Sequence, residues 1–469
     1  MLRLHWHWIV LLPLAGCALR GPAGPAPPGG VGGGAPLASA DIELAEPAEV
    51  VLAVPASCGA CAWSRPGREG AVLRVVIDGA YSQHLVVPGA APYTARVVLG
   101  PLDRGAHRVA VVLDAATPAG VRDALTIGPL ETTIVGPGAA ADAAVAHSPI
   151  LRARPGSLAR FSDLPLVMWY STEPSPRGTW LRYSVVFSNE DGGTPPDRLM
   201  ATWGRVTDIE YVFGVELDTA GRVLAEEFQG PEHRYLPFAG EHVGRHPVLH
   251  VVTANNMVAE QGGAPERFAP APVPLAMAGT AREVVMDRWP WLYRVSSEEL
   301  VREGRVDPAA RPGSGKVPDP RRFVYVEACG ETAGAALALD AGFASGAGAL
   351  VWAASDGGLP DFRIALEHAR QRIERPGGCF RAAVASPAGA GPLQALRIRA
   401  HALPPRPGEK PRPPGQAYAR LTRINRVFLL DDDYVPRANL LEWRGELSVP
   451  VGGEPVEFPI ATAGPRGAR

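Results

Sequence analysis

Three carboxylates and an arginine lie close together near the middle of this 469-residue chain, and no other segment gathers as many groups that could do chemistry. Asn189-Glu190-Asp191-Gly192-Gly193-Thr194 is a carboxylate-rich turn after an apolar stretch. Further along come Asp208 and Glu210, spaced i and i+2, so that both acids share one face of a strand. Converging oxygens of this kind could hold Ca²⁺ or Mg²⁺, because hard cations take carboxylate and carbonyl ligands. A carboxylate pair is also the equipment of glycoside hydrolysis. Two acids on one face do not flank a bond, however, unless Asp191 is the second partner. The third arrangement is structural: Arg205 pairs with Asp208 or Glu210 in a buried charge network that fixes strands together.

The residues around this cluster carry a family resemblance. Trp203-Gly204-Arg205-Val206-Thr207-Asp208-Ile209-Glu210-Tyr211-Val212 resembles the Gly-His-Arg-His-Asp-Trp-Glu heptad of the necrosis-and-ethylene-inducing peptide-like proteins. It also resembles the Gly-Asp-Trp-Glu-type segment of a vacuolar-sorting-associated family. Residues 183–191 look like the strand that in those cytolysins ends in a metal-binding aspartate. His246-Pro247-Val248-Leu249-His250-Val251 looks like their His-Pro-Val-Val-Tyr strand. The resemblance implies a β-sandwich and a divalent cation held by Asp, His, Asp and Glu. Carried over, Asp191, Asp208 and Glu210 match ligand positions. The histidine does not: Arg205 stands in its place and Thr207 replaces the next one. A guanidinium has no acceptor and competes for the same carboxylates.

Other candidates are single residues. His233 and His250 could approach the carboxylate face, although a lone histidine is more often a packed or surface residue. Asn255 and Asn256 end a strand, which is ordinary turn chemistry. Asp431-Asp432-Asp433-Tyr434 lacks the glycine and distal glutamate of an EF-hand loop and reads as an acidic turn. Ser314-Gly315-Lys316 lacks the rest of a P-loop, and the chain has no nucleophile elbow, no zinc-protease helix and no dinucleotide fingerprint.

The N-terminus gives an address. Arg3 precedes an apolar run that is shorter than the ~20 residues a membrane-spanning helix needs, and Leu14-Ala15-Gly16-Cys17 resembles the bacterial lipobox. The resemblance implies a lipid on Cys17 and an anchored, exported protein. Ala18 lacks the aspartate of inner-membrane retention, which leans the expectation toward an outer membrane. With Cys17 set aside, Cys58, Cys61, Cys329 and Cys379 remain. An even remainder in an oxidising compartment predicts two disulfides, Cys58 with Cys61 and Cys329 with Cys379. A redox dithiol at Cys58–Cys61 is the alternative, but such a site sits in a βαβ unit and this one precedes a strand-rich segment.

These groups need elements to position them, and the pattern is mainly β. Residues 1–17 read as a signal sequence and 18–40 as a tether rich in Gly, Pro and Ala. Residues 41–136 show short strands (72–77, 81–87, 93–99, 107–113) between glycine turns, predicting a small N-terminal β-sandwich. Its Trp63, Tyr81 and Tyr93 read as core aromatics before they read as a binding platform. Residues 147–463 are expected to form a larger, elaborated β-sandwich with Pro-rich loops, strands at 181–187, 208–213 and 246–253, and few helices. The spacing of Ser296 and Glu299 predicts a capping box. Apolar residues three or four apart predict a helix over 361–375, and 333–354 reads as a helical turn leading into a buried strand. With 46 basic against 48 acidic residues and no basic block, nucleic acid is not expected as a partner.

The combined expectation is a lipid-anchored cell-envelope protein, non-catalytic, that binds or builds, with an acidic cluster available to Ca²⁺ or Mg²⁺ and a carbohydrate or protein as ligand. An envelope glycan hydrolase is the first alternative, and a cytolysin-like membrane-active protein the second.

Overall fold

The computed structural model describes residues 35–136, 138, 141–190, 192–346, 348–367, 375, 378–405, 410, 413 and 415–460. Cys17 and Asp191, both singled out from the sequence, lie outside the described residues. The described residues are mainly β, as expected, and form six sheets that pair face to face around apolar cores.

In the first sandwich, Ala38–Leu44, Gly105–Leu113, Ala71–Ile77 and Ala80–Val87 form one sheet. Tyr93–Leu102, Ala48–Cys58, Leu125–Ile127 and Glu131–Val135 form the other. Alternate residues fill the space between them, Leu73 and Val75 from the first sheet and Val50, Leu52 and Val54 from the second. The turn between Ala71–Ile77 and Ala80–Val87 is Asp78-Gly79, with φ of 51° and 80°. Both residues left-handed is the geometry whose twist matches a tight hairpin. Trp63 is fully buried and Tyr93 packs edge-on against Trp291, so these aromatics belong to contacts inside the protein.

Among the described residues, 147–463, expected as one larger sandwich, carry four sheets, with an apolar core inside each pair of sheets and another packed between the pairs. The second sandwich sets a six-stranded sheet (Arg234–Pro237, Val223–Gly230, Asp208–Leu217, Thr179–Phe187, Pro165–Pro174, Val273–Pro274) against a sheet built on His246–Val251 and Ile150–Arg152. The third runs from Phe323–Ala333 to Val456–Pro459. Between second and third sandwiches lie the helices Val284–Arg288 and Trp291–Arg302, whose Val285, Met286, Leu292 and Leu300 pack on Val186, Ile209, Tyr325 and Phe428. Asp208–Leu217 is therefore covered on both faces, and all ten of its residues are buried.

Three local expectations are corrected. Ser296 does not cap a helix: Trp291–Arg302 starts after Pro290, and the Ser296 hydroxyl donates back to the carbonyl of Leu292 from the helix interior. Apolar packing on both flanks outweighs one capping spacing. Residues 361–367 form no α-helix; Pro360–Phe362 is a single 3₁₀ turn and Ile364 bridges to Leu337. Residues 368–374 lie outside the described ones. The Ala-rich stretch holds the strand Ala335–Ala344 in place of a helical turn, and the following Leu350–Ala354 is a half-exposed edge rather than a buried strand. Small side chains allow this close sheet packing, which a helix-propensity reading of alanine misses.

Both disulfides form as expected, Cys58–Cys61 and Cys329–Cys379. Cys329 and Cys379 stand directly opposite on neighbouring antiparallel strands. Among the described residues, no helix is long and apolar enough to cross a membrane.

Candidate functional site

At one end of the second sandwich, several segments meet around a cavity of about 500 Å³. Asp208 and Glu210 enter from the first residues of the strand Asp208–Leu217, side by side as their i, i+2 spacing requires. The loop after Thr179–Phe187 brings Asn189 and Glu190, and the turn after His246–Val251 brings Asn255 and Asn256. His233 comes from the turn between Val223–Gly230 and Arg234–Pro237. The helix Pro196–Trp203 supplies the wall with Arg198, Thr202 and Trp203.

Hydrogen bonds tie the floor together. Asn256 Nδ2 donates to Asp208 Oδ2 at 3.0 Å and to the Asn189 carbonyl at 3.1 Å. Gln229 Nε2 bridges Glu210 Oε2 (3.1 Å) and His233 Nδ1 (2.8 Å). Arg205 Nε reaches Glu283 Oε1 at 3.2 Å, and its Nη1 lies 3.6 Å from Asp208 Oδ1 and donates to the Thr207 carbonyl. The Glu190 carboxylate accepts from the Thr194 N–H at 2.7 Å. That contact needs Gly193: at φ 109°, a Cβ there would lie 2.5 Å from Glu190 Oε1.

Burial dominates the electrostatics. It pushes Glu190 up to about 8, with the nearby Asp208 charge adding to the effect. Asp208 is raised by burial against the pull of Arg205, and Glu210 is raised further by burial and by Asp208 beside it. Two carboxyls side by side on one face of one strand do not by themselves flank a substrate bond, as glycoside hydrolysis requires.

The backbone around the cavity is strained. Of the seven non-glycine residues with left-handed backbone among those described, His233 lines the cavity, exposed Glu232 precedes it in the same turn, and Asn256 and Asp163 lie in the hydrogen-bonded network behind the floor. Asp163 joins through its own bonds, to Asn256 Nδ2 at 3.4 Å and to Arg154.

Neither a family model nor a curated protein matches the chain. Among solved structures it is similar to NLPPya in complex with mannosamine. That likeness has 11% sequence identity and a TM-score of 0.22, and it covers 39% of this chain and 85% of the other.

Of the residues read from the sequence, the structure brings Asp208, Glu210 and Arg205 together, with His233 at the cavity edge. Among the described residues, no group of three or more His, Cys, Asp or Glu is arranged to hold a metal ion. His250 faces elsewhere, accepting from the Gly263 N–H at 3.0 Å. The Asp431 turn caps itself, its carboxylate accepting the N–H groups of Asp433 and Val435. Sequence reasoning missed Glu190's burial, Gln229, Asn256 as the central donor, and the arginines around Trp203. The guanidinium of Arg375 lies 3.8 Å from that ring, with Arg282 at 5.6 Å and Arg205 at 5.7 Å. A buried Asn in a left-handed turn after a strand was the one local signal available.

Proposed function

We propose that this chain is a lipid-anchored protein of the cell envelope, held at a membrane through Cys17, and that its ectodomain is a non-catalytic binding protein. The cavity beside Asp208 and Glu210 is the binding site, and the acidic cluster with Arg205 is a charge lock that builds its floor. The observation that carries this reading is the preformed cavity, with left-handed His233 in its lining and left-handed Asn256 and Asp163 in the hydrogen-bonded network behind its floor. Strain of this kind costs on the order of 1–3 kcal/mol per residue and persists where the surroundings impose it, characteristically at binding sites. The Arg205 guanidinium beside Asp208 supports a lock rather than an ion.

A second reading keeps a divalent cation at the floor. It is favoured by Asp208 Oδ1 and Asn256 Oδ1, both buried and without a hydrogen-bond partner among the described residues. A thermal melt with and without chelator separates the two. A lock leaves the melting temperature unchanged. A resident cation stabilises by RT ln(1 + [L]/Kd), so a chelator-sensitive melt restored by Ca²⁺ or Mg²⁺ overturns the lock.

A further inference from the structure

The walls of the same cavity are cationic in a way its floor does not explain. Arg198 and Trp203 come from Pro196–Trp203, Arg363 from the loop after Pro360–Phe362 in the third sandwich, and Arg375 from beyond it. Arg375 Nη2 donates to the Thr202 carbonyl at 3.0 Å, which holds its guanidinium over the Trp203 ring. Its Nη1 is enclosed and has no acceptor among the described residues. Guanidinium groups crowd together here although like charges repel. Buried N–H donors without acceptors are costly and rare, so each asks for a partner that arrives from outside.

We propose, building on the binding reading above, that the cavity receives the phosphate group of its ligand between Arg375 and Arg198, beside the face of Trp203, while Arg363, whose Nε is paired with the buried Asp356 at 2.9 Å, borders the cavity as a fixed positive charge. Several guanidiniums converging from separate elements suit a tetrahedral anion with oxygens in several directions, whereas a single planar carboxylate is satisfied by one fork. The floor does not oppose this. Burial holds Glu190 up at about 8 and Glu210 well above the ordinary carboxylate range, which weakens the negative charge of the floor. Among the described residues of the lining, Asp361 is the other acidic side chain, set against the arginines. Arg205 is already committed to Asp208 and Glu283 and stays with the floor.

Isothermal titration of the intact ectodomain with inorganic phosphate, in the presence of chelator, is the test. Binding is expected in the wild type, weakened about tenfold in Arg375→Gln and several-fold in Arg198→Gln, and unchanged in Arg222→Gln on a distant exposed hairpin. Arg198 is exposed on its helix, so its variant folds even if the Arg375 variant does not. Sedimentation with phosphatidylglycerol vesicles identifies the source of the phosphate. Co-sedimentation competed by free phosphate supports a lipid headgroup as ligand, and binding of free phosphate without co-sedimentation supports a soluble phosphate ester. No binding at millimolar phosphate, or equal binding in wild type and both variants, overturns the proposal. A chelator-sensitive melt would instead defeat the charge-lock reading, so the two failures are distinguishable.

Discussion

Arg205 occupies the point where two acids from different elements, Asp208 on a strand and Glu283 before a helix, are neutralised at once. Its side chain is almost fully buried, so truncation leaves carboxylates unpaired where water does not reach. Arg205→Ala is expected to lose about 3–5 kcal/mol, the usual cost of breaking a buried pair, read as a lower denaturation midpoint with an unchanged m-value. A second residue-scale prediction concerns pH. Glu190 and Glu299 both stand at about 8 in the folded chain, above the 4.5 of a free glutamate, chiefly through burial. The folded state therefore binds more protons than the unfolded one across that interval. Stability from these groups is complete below pH ~4.5 and is lost as pH rises toward 8, at up to roughly 1.4 kcal/mol per unit for each. Asp319 and Asp356 are held below the ordinary aspartate range by their arginine partners and work in the opposite sense, losing stability only in stronger acid. The melting temperature is thus expected to be higher at pH 5 than at pH 8, and Glu190→Gln should flatten that slope. A melt that rises from pH 5 to 8 would contradict it.

Elements show where sequence was a good guide. The i, i+2 spacing of Asp208 and Glu210 put both acids on one face, and Asp78-Gly79 marked its hairpin, because strand alternation and turn chemistry are local. The capping spacing at Ser296 misled for the opposite reason: tertiary contacts at Leu292, Val295 and Leu300 set the helix start. Nor did Trp203-Gly204-Arg205 reveal the approach that Gly204 permits. A Cβ at Gly204 would lie 2.7 Å from Arg381 Cγ and 3.2 Å from the Ala382 backbone, in a strand far along the chain. The cationic wall was illegible because its arginines come from separate segments with no shared motif. The disulfides give a prediction at this scale. Cys329–Cys379 spans 50 residues and Cys58–Cys61 spans 3. Removing the long bridge by paired Cys→Ala changes should cost about 2–4 kcal/mol, and removing the short one distinctly less, by chemical denaturation.

Across the described residues, one helix touches all three sandwiches, beside the direct contacts the sandwiches make with each other. Glu299 in Trp291–Arg302 accepts from the Trp63 indole at 3.0 Å, reaching the first sandwich. The apolar side of the same helix packs between second and third. A further buried network joins helix and third sandwich, where Arg381 meets Asp287, Glu327 and the Tyr293 hydroxyl. The three sandwiches should accordingly melt in one transition, with Glu299→Gln shifting all probes together; separate transitions by tryptophan fluorescence and circular dichroism would argue against it. The anchor is tested at this scale too. Cys17→Ser is expected to abolish incorporation of a labelled fatty acid and release the chain from the membrane fraction, and equal label in the variant would rule the anchor out.

The strand Asp208–Leu217 is covered on both faces, and its residues 213–217 are paired with a neighbouring strand on each edge, which has a consequence for exchange with solvent. The amide protons of residues 213–217 can leave only when much of the surrounding sandwich opens, so they should be the last to be replaced by deuterium. The loop carrying Arg363 on the opposite wall rests on a short 3₁₀ turn and one isolated bridge, and its amides should exchange early. The strand that floors the cavity would then keep time with opening of the sandwich and the Arg363 side with local fluctuation, so that a ligand settling between them would register as slowed exchange on the Arg363 side alone.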